Sequence, residues 1–71
     1  MRLKELREEH DVKQNTIASV LNIQQNTYSQ YENEVRQIPL NLLVKLALYF
    51  DTSTDYILEL TDESRPYPRK K

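Results

Sequence analysis

A chain of 71 residues without a single glycine must make every reversal of its backbone with residues that carry a Cβ. Average usage would supply about five glycines at this length. Glycine enters the left-handed region freely and lets a backbone approach a ligand closely. Its absence removes whole classes of chemistry. The GxGxxG dinucleotide fingerprint, the Walker A loop and the EF-hand loop each need glycine at a defined position. Tight hairpins lose their Asn-Gly and Asp-Gly turns. Cysteine is absent as well, which excludes a disulfide framework, a zinc–thiolate centre and a thiol nucleophile.

The length suits one domain with a modest core. The N-terminus, MRLKELREEH, is charged throughout and has no apolar h-region, so no signal peptide is expected. The most apolar stretch, Ile38 to Phe50, is interrupted by Asn41 and Lys45 and reads as a core helix, too short for a membrane span. The chain thus reads as soluble and cytoplasmic. Its net charge of −1 conceals an asymmetry. Residues 1–64 hold six Lys and Arg against eleven Asp and Glu, whereas the last seven, RPYPRKK, hold four basic residues and no acid. The expected organisation is a domain over 1–64 followed by a basic tail over 65–71. A basic tail on an acidic body suits an anionic partner, although a solvated tail explains it equally well.

The apolar spacing is helical everywhere. Leu3 and Leu6, with Val12 beyond them, predict a first helix over about 2–10. Ile17, Ala18 and Leu21 predict a second over 14–21, and Tyr28 and Tyr31 a third over 25–32. The tyrosines suit core packing with the hydroxyl at the rim, and Tyr28 can approach a sugar–phosphate edge. Pro39 suits the first turn of a fourth helix, whose stripe is Leu40, Leu43, Val44, Ala47 and Phe50. Leu42, Leu46 and Tyr49 fall largely outside that stripe, so part of this surplus must pack on the next helix and the rest is a candidate interface. Ser53 can cap a fifth helix over 54–60 that buries Ile57, Leu58 or Leu60. No segment alternates long enough to be a strand. The fold class is therefore all-α.

The informative link is the short one between the second and third helices, Asn22-Ile23-Gln24. A reversal that tight needs a left-handed residue, and Asn is the best substitute for glycine there. Ile23 can turn inward and set the crossing angle. Two short helices joined this way form a helix-turn-helix, whose second helix enters the DNA major groove. Composition agrees. Residues 14–33 hold eight Asn or Gln among twenty and no formal charge except Glu32. Amides donate and accept together, so they match adenine at N6 and N7, and they also reach guanine acceptors. Gln24, Gln25 and Asn26 open the third helix, and Ser29 and Gln30 lie one turn further on its polar face.

On these residues the chain resembles a Cro/C1-type (XRE family) helix-turn-helix domain over about 2–63. The matching pieces are RLKELRE at the start, Gln14 with Ile17-Ala18 in the second helix, Tyr31-Glu32-Asn33 closing the third, Pro39 before LxxLxxA-like spacing in the fourth, and STDYIL with LTDE at the end. The resemblance implies a five-helix, lambda-repressor-like bundle. It implies base reading by Gln24, Gln25, Asn26, Ser29 and Gln30. It also implies that Gln14 grips a phosphate at its helix N-terminus while bracing the recognition helix, and that Asn33 contacts a phosphate at a turn. Lys13 and Arg36 flank the motif and can reach the backbone. The family usually has glycine where Asn22 and Glu34 stand. Glu34 sets an anion beside the phosphate path, and the 12–38 segment is electrically neutral. Affinity rests largely on phosphate neutralisation, so weak non-specific binding and a shallow salt slope are expected, with help from dimerisation or the tail.

The resulting expectation is a DNA-binding transcriptional repressor that occupies a palindromic operator on double-stranded DNA as a homodimer through helices 4 and 5. Its rival is a protein-interaction module on the same fold, an antitoxin or an antagonist of another regulator, which the acidic body favours. His10, the one histidine, has no second ligand or nucleophile nearby and reads as a solvated helix end. No catalytic constellation, metal site or cofactor site is legible, so the chain is not expected to be an enzyme.

Overall fold

The computed structural model describes residues 1–68. Among them the chain forms five helices and no strand: α1 (Leu3–Glu9), α2 (Gln14–Leu21), α3 (Gln25–Glu32), α4 (Leu40–Tyr49) and α5 (Thr54–Ile57). None of these is long and apolar enough to cross a membrane. α2 packs closely on α3, and α4 touches both α2 and α5. Leu3, Leu6, Ile17, Leu21, Tyr28, Leu46 and Ile57 lie at the centre of one apolar core, with Ile23 and Val12 against its edge.

Two expectations about that core are corrected. In α4 the buried face is Leu42, Leu43, Leu46, Ala47 and Phe50, while Leu40 is 73% and Val44 43% exposed. The helix is apolar almost all round, so two overlapping stripes share Leu43, Ala47 and Phe50. Contact with α2 on one side and α5 on the other selects the one containing Leu42 and Leu46. Leu40, Val44 and Leu48 are left as an outer row at i, i+4 and i+8. α5 is also shorter than expected. Ser53 caps it, its Oγ accepting from the Tyr56 N–H at 3.0 Å, but the helix stops at Ile57 and leaves Leu58 and Leu60 exposed.

The missing glycines have a structural answer. Each of the five helices ends in a left-handed residue that carries a side chain: Asp11, Asn22, Glu34, Asp51 and Glu59, with φ of 53°, 57°, 59°, 52° and 64°. Every one closes the same pair of hydrogen bonds. After α1, the Val12 N–H donates to the Arg7 carbonyl (2.9 Å) and the Asp11 N–H to Glu8 (3.1 Å). After α2, Ile23 donates to Ala18 and Asn22 to Ser19, at 2.9 and 3.1 Å. Val35 to Gln30, Thr52 to Ala47 and Leu60 to Asp55 repeat the longer-range bond after α3, α4 and α5, at 2.9, 2.9 and 2.8 Å. These are Schellman closures, which satisfy the last carbonyls of a helix and usually employ glycine. Asp and Asn tolerate the left-handed region better than most residues. The two glutamates do not share that tolerance and hold the conformation under strain.

The chain ends are tied across the bundle. The Arg2 N–H donates to the Ile57 carbonyl (2.8 Å), and the Arg2 guanidinium bonds the Tyr56 carbonyl (2.9 Å) and lies over the Tyr56 ring. Beyond α5 the chain turns back. Thr52 Oγ1 donates to the Ser64 carbonyl (2.7 Å) and Tyr67 Oη to Asp55 (2.9 Å). Arg65 pairs with Glu63. The remaining basic residues of the expected tail, Arg69, Lys70 and Lys71, lie outside the described residues. His10 tilts its ring against Phe50 at 5.0 Å, with Nδ1 at 2.9 Å from the Leu6 carbonyl.

Relief of left-handed strain is measurable. Asp11→Gly is expected to raise stability by about 0.5–1 kcal/mol in urea titrations, and Asn22→Gly to leave it within a few tenths. A loss of stability in Asp11→Gly would contradict the left-handed assignment.

Candidate nucleic-acid interface

Asn22 sits at φ 57°, ψ 45°, and so makes the reversal between α2 and α3 in the left-handed conformation expected of it. Ile23 follows and packs inward against the core. Gln24 is extended and precedes the first turn of α3. The two helices thereby form the compact pair that a helix-turn-helix requires.

α3 divides cleanly into two faces. Tyr28, Tyr31 and Glu32 are buried. At 3.6 residues per turn, Gln25, Asn26, Ser29, Gln30 and Asn33 fall within an arc of about 140° on the opposite side. Gln25, Asn26, Gln30 and Asn33 are exposed and Ser29 half-buried. Asn33 Nδ2 donates to Ser29 Oγ at 3.3 Å. The four side chains named from the sequence within the helix, Gln25, Asn26, Ser29 and Gln30, thus share one side of it, with Gln24 at its N-cap and Asn33 at its C-cap.

The inward face is held by an ion pair that the sequence reading did not assign. Arg7 on α1 forks onto Glu32, Nε to Oε2 and Nη2 to Oε1, both at 3.0 Å. Gln14 Nε2 on α2 donates to the same Oε1 at 3.2 Å, which is the bracing role expected of it. Arg7 Nη1 also bonds the Val12 carbonyl at 3.2 Å. One carboxylate therefore fastens α3 to both preceding helices. Only 2% of the Glu32 side chain and 17% of Arg7 are accessible. Burial alone would push the Glu32 carboxyl up, but the hydrogen bonds from Arg7 and Gln14 outweigh it and the net shift is downward. Tyr28 corrects a further expectation: it is wholly buried, away from any rim. Its hydroxyl has no hydrogen-bond partner of good geometry, and burial together with the nearby Glu32 charge raises it above an ordinary phenol.

Because Glu32 is internal, the surface of α2 and α3 carries almost no charge. Between Val12 and Asn33 the one other formal charge is Lys13, exposed immediately before α2. Arg36 is exposed in the loop after α3, beside a groove that it lines with Met1, Leu40 and Leu58. Glu34 lies in the same loop, 3.5 Å from the N-terminal amine. The helix starts are informative too. Ser53 caps α5 with its side chain, whereas α2, α3 and α4 have no side-chain cap. Uncapped N-terminal N–H groups are available to an external anion. Among the described residues no group of three or more His, Asp or Glu side chains could hold a metal.

The ion pair predicts an acid-sensitive stability. The folded carboxyl of Glu32 titrates below its ordinary value of 4.5. Its stabilisation is therefore complete above that pH and is lost as pH falls through the lower native value. Glu32→Gln is expected to cost about 2–4 kcal/mol at neutral pH, by stranding Arg7, and to flatten the acid limb of a stability–pH curve. Arg7→Met combined with Glu32→Met should recover most of the loss. An unchanged acid limb in Glu32→Gln would remove the pair from this role.

A helix-turn-helix family profile matches residues 3–57. The chain is 40% identical over 70 residues to the uncharacterized HTH-type transcriptional regulator YobD of Bacillus subtilis, covering 99% of this chain and 62% of that protein. It is 38% identical over 64 residues to the HTH-type transcriptional regulator ImmR of the same organism, covering 90% and 50%. The chain therefore spans one half to just under two thirds of the length of these relatives. No solved structure matches it. With the profile covering all five helices, the chain belongs to the Cro/C1-type (XRE) helix-turn-helix family.

Proposed function

We propose that the chain is a sequence-specific DNA-binding transcription regulator that represses by occupying a palindromic operator. The observation that carries this reading is the uncharged amide face of α3, presented outward while its one carboxylate is locked inside. In the major groove such a helix meets base edges with its first turns. Gln24, Gln25, Asn26, Ser29 and Gln30 read bases. Lys13, Gln14, Asn33 and Arg36 hold phosphates, with the uncapped N-terminus of α2 adding its N–H groups. Gln14 can do both tasks, since an amide nitrogen has a second hydrogen beyond the one given to Glu32. Two similar proteins are named as transcriptional regulators, which supports the same reading.

Few cations face the phosphates, so affinity must come from elsewhere. The outer row Leu40, Val44 and Leu48 on α4, with Leu58 and Leu60 beyond α5, is an apolar surface suited to an isologous dimer. A two-fold through helices 4 and 5 sets two α3 helices one DNA turn apart. The basic tail over 65–71 adds phosphate attraction. A second reading is a protein-interaction module, an antitoxin or an antagonist of another regulator. It is favoured by the eleven acids against six bases in residues 1–64.

Selection from random duplexes should enrich one sequence. On it, Gln25→Ala is expected to lose about 1–3 kcal/mol and relax base preference, while Gln14→Ala weakens all duplexes alike. No enrichment, with binding no tighter than to a random duplex, would favour the interaction module. Sedimentation of the free protein tests the dimer: a strict monomer at high micromolar concentration would rule out the α4–α5 contact.

A further inference from the structure

Resting on the DNA-binding reading above, we propose that the groove beside Arg36, between the loop after α3 and the end of α5, binds a small apolar monocarboxylate, and that the bound carboxylate withdraws Arg36 from phosphate. The groove holds about 440 Å³, within the range of small-ligand sites. Its floor is made by Ile38 and Leu43, which are buried, and its walls by Leu40 and Leu58, 73% and 41% exposed. Two leucines thus stand in water around an apolar floor. An apolar chain laid between them removes their surface and its own from water, and each methylene buried there raises affinity by about 3- to 4-fold.

Charge decides which head group fits. Arg2 pairs with Asp62, Arg7 with Glu32 and Arg65 with Glu63. Arg36 is the one arginine among the described residues that no carboxylate engages. Its loop is nevertheless anchored: the Arg36 and Val35 N–H groups both donate to the Gln30 carbonyl, at 3.2 and 2.9 Å. An unpaired guanidinium is therefore carried on a fixed backbone beside an apolar groove, and it can fork onto a carboxylate through two parallel N–H donors. The Met1 amine at the same groove is already shared by Glu34 and Glu59, at 3.5 and 3.1 Å. These two carboxylates disfavour a dianion and leave Arg36 to a ligand of single charge. The same residues serve the proposed function. Arg36 holds a phosphate there, and Leu40 and Leu58 belong to the surface offered to a second copy. A ligand seated on all three excludes both partners, so it acts as an inducer that releases DNA.

Octanoate is the probe, titrated against the full chain and followed by the methyl resonances of Leu40, Leu43 and Leu58. These are expected to shift and to saturate, with affinity rising about 3- to 4-fold per methylene from hexanoate to octanoate. Octanol, which lacks the charge, and Arg36→Met, at an exposed position, should each weaken saturation roughly 5-fold or more. On a duplex enriched by selection, saturating octanoate should weaken binding about 5-fold or more. No saturable shift, or equal saturation by octanol, would overturn the inference whatever the duplex result. Saturation with DNA affinity unchanged would overturn the inducer role. Shifts that follow dilution of the protein but not octanoate would assign the groove to a second copy and overturn the inference. Saturation by octanoate without any enriched duplex would leave the carboxylate site standing and remove the DNA reading.

Discussion

The orientation of α3 depends on a single carboxylate. Glu32 is the meeting point of Arg7 from α1 and Gln14 from α2, so three helices share one buried polar contact. Apolar packing around Tyr28, Leu21 and Ile17 would hold the helices together without it, but apolar contact is non-directional and tolerates small rotations. A forked guanidinium–carboxylate pair is planar and admits one geometry. The pair therefore acts chiefly on the angle at which α3 presents its outer face. Buried ion pairs are weak contributors to net stability when compared with apolar replacements, and this one has a positional rather than an energetic justification.

The same contact shapes the electrostatic surface. On the proposed DNA-binding reading, an exposed glutamate on α3 would place a negative charge next to phosphate. Drawn inward, it leaves a neutral surface over α2 and α3, while Glu5, Glu8, Glu9, Asp11, Asp55, Glu59, Asp62 and Glu63 lie on other elements. Most of the acid of residues 1–64 therefore lies away from α2 and α3, with Glu34 in the loop just after α3 as the exception. Such a distribution gives little long-range attraction, but it penalises misoriented encounters, because like charges brought together cost more than neutral groups do.

Much of this was legible in the residues. Helix number, the link Asn22-Ile23-Gln24 and the gathering of amides on one side of α3 follow from spacing alone. The Ser53 cap does too. The rotation of α4 did not, because a helix apolar on nearly all sides contains several consistent stripes and only its neighbours choose among them. Core packing of Tyr28 was legible, but the depth of its hydroxyl was not, because a phenol is amphipathic and its depth depends on partners distant in sequence. The Arg7–Glu32 pair left a trace that was available: a lone acid in twenty otherwise uncharged, amide-rich residues is an anomaly, and an anomaly of that kind asks for a buried partner. Three of the left-handed residues, Asp11, Asp51 and Glu59, also had a signal. Each is an acidic residue just past a helix, followed by a β-branched or apolar one.

The glycine-free chain has a thermal consequence that follows from its five left-handed closures. Strain in the folded backbone is an energy, nearly independent of temperature. The freedom a glycine would add to the unfolded chain is an entropy, and its penalty on folding grows in proportion to temperature. A side-chain-bearing residue at each closure therefore burdens the folded state most in the cold and least near the melting transition. The preference for Asp, Asn and Glu over glycine tilts the stability curve, lowering its summit more than its upper end. Such a chain gives up surplus stability at moderate temperature while conceding little of its heat resistance.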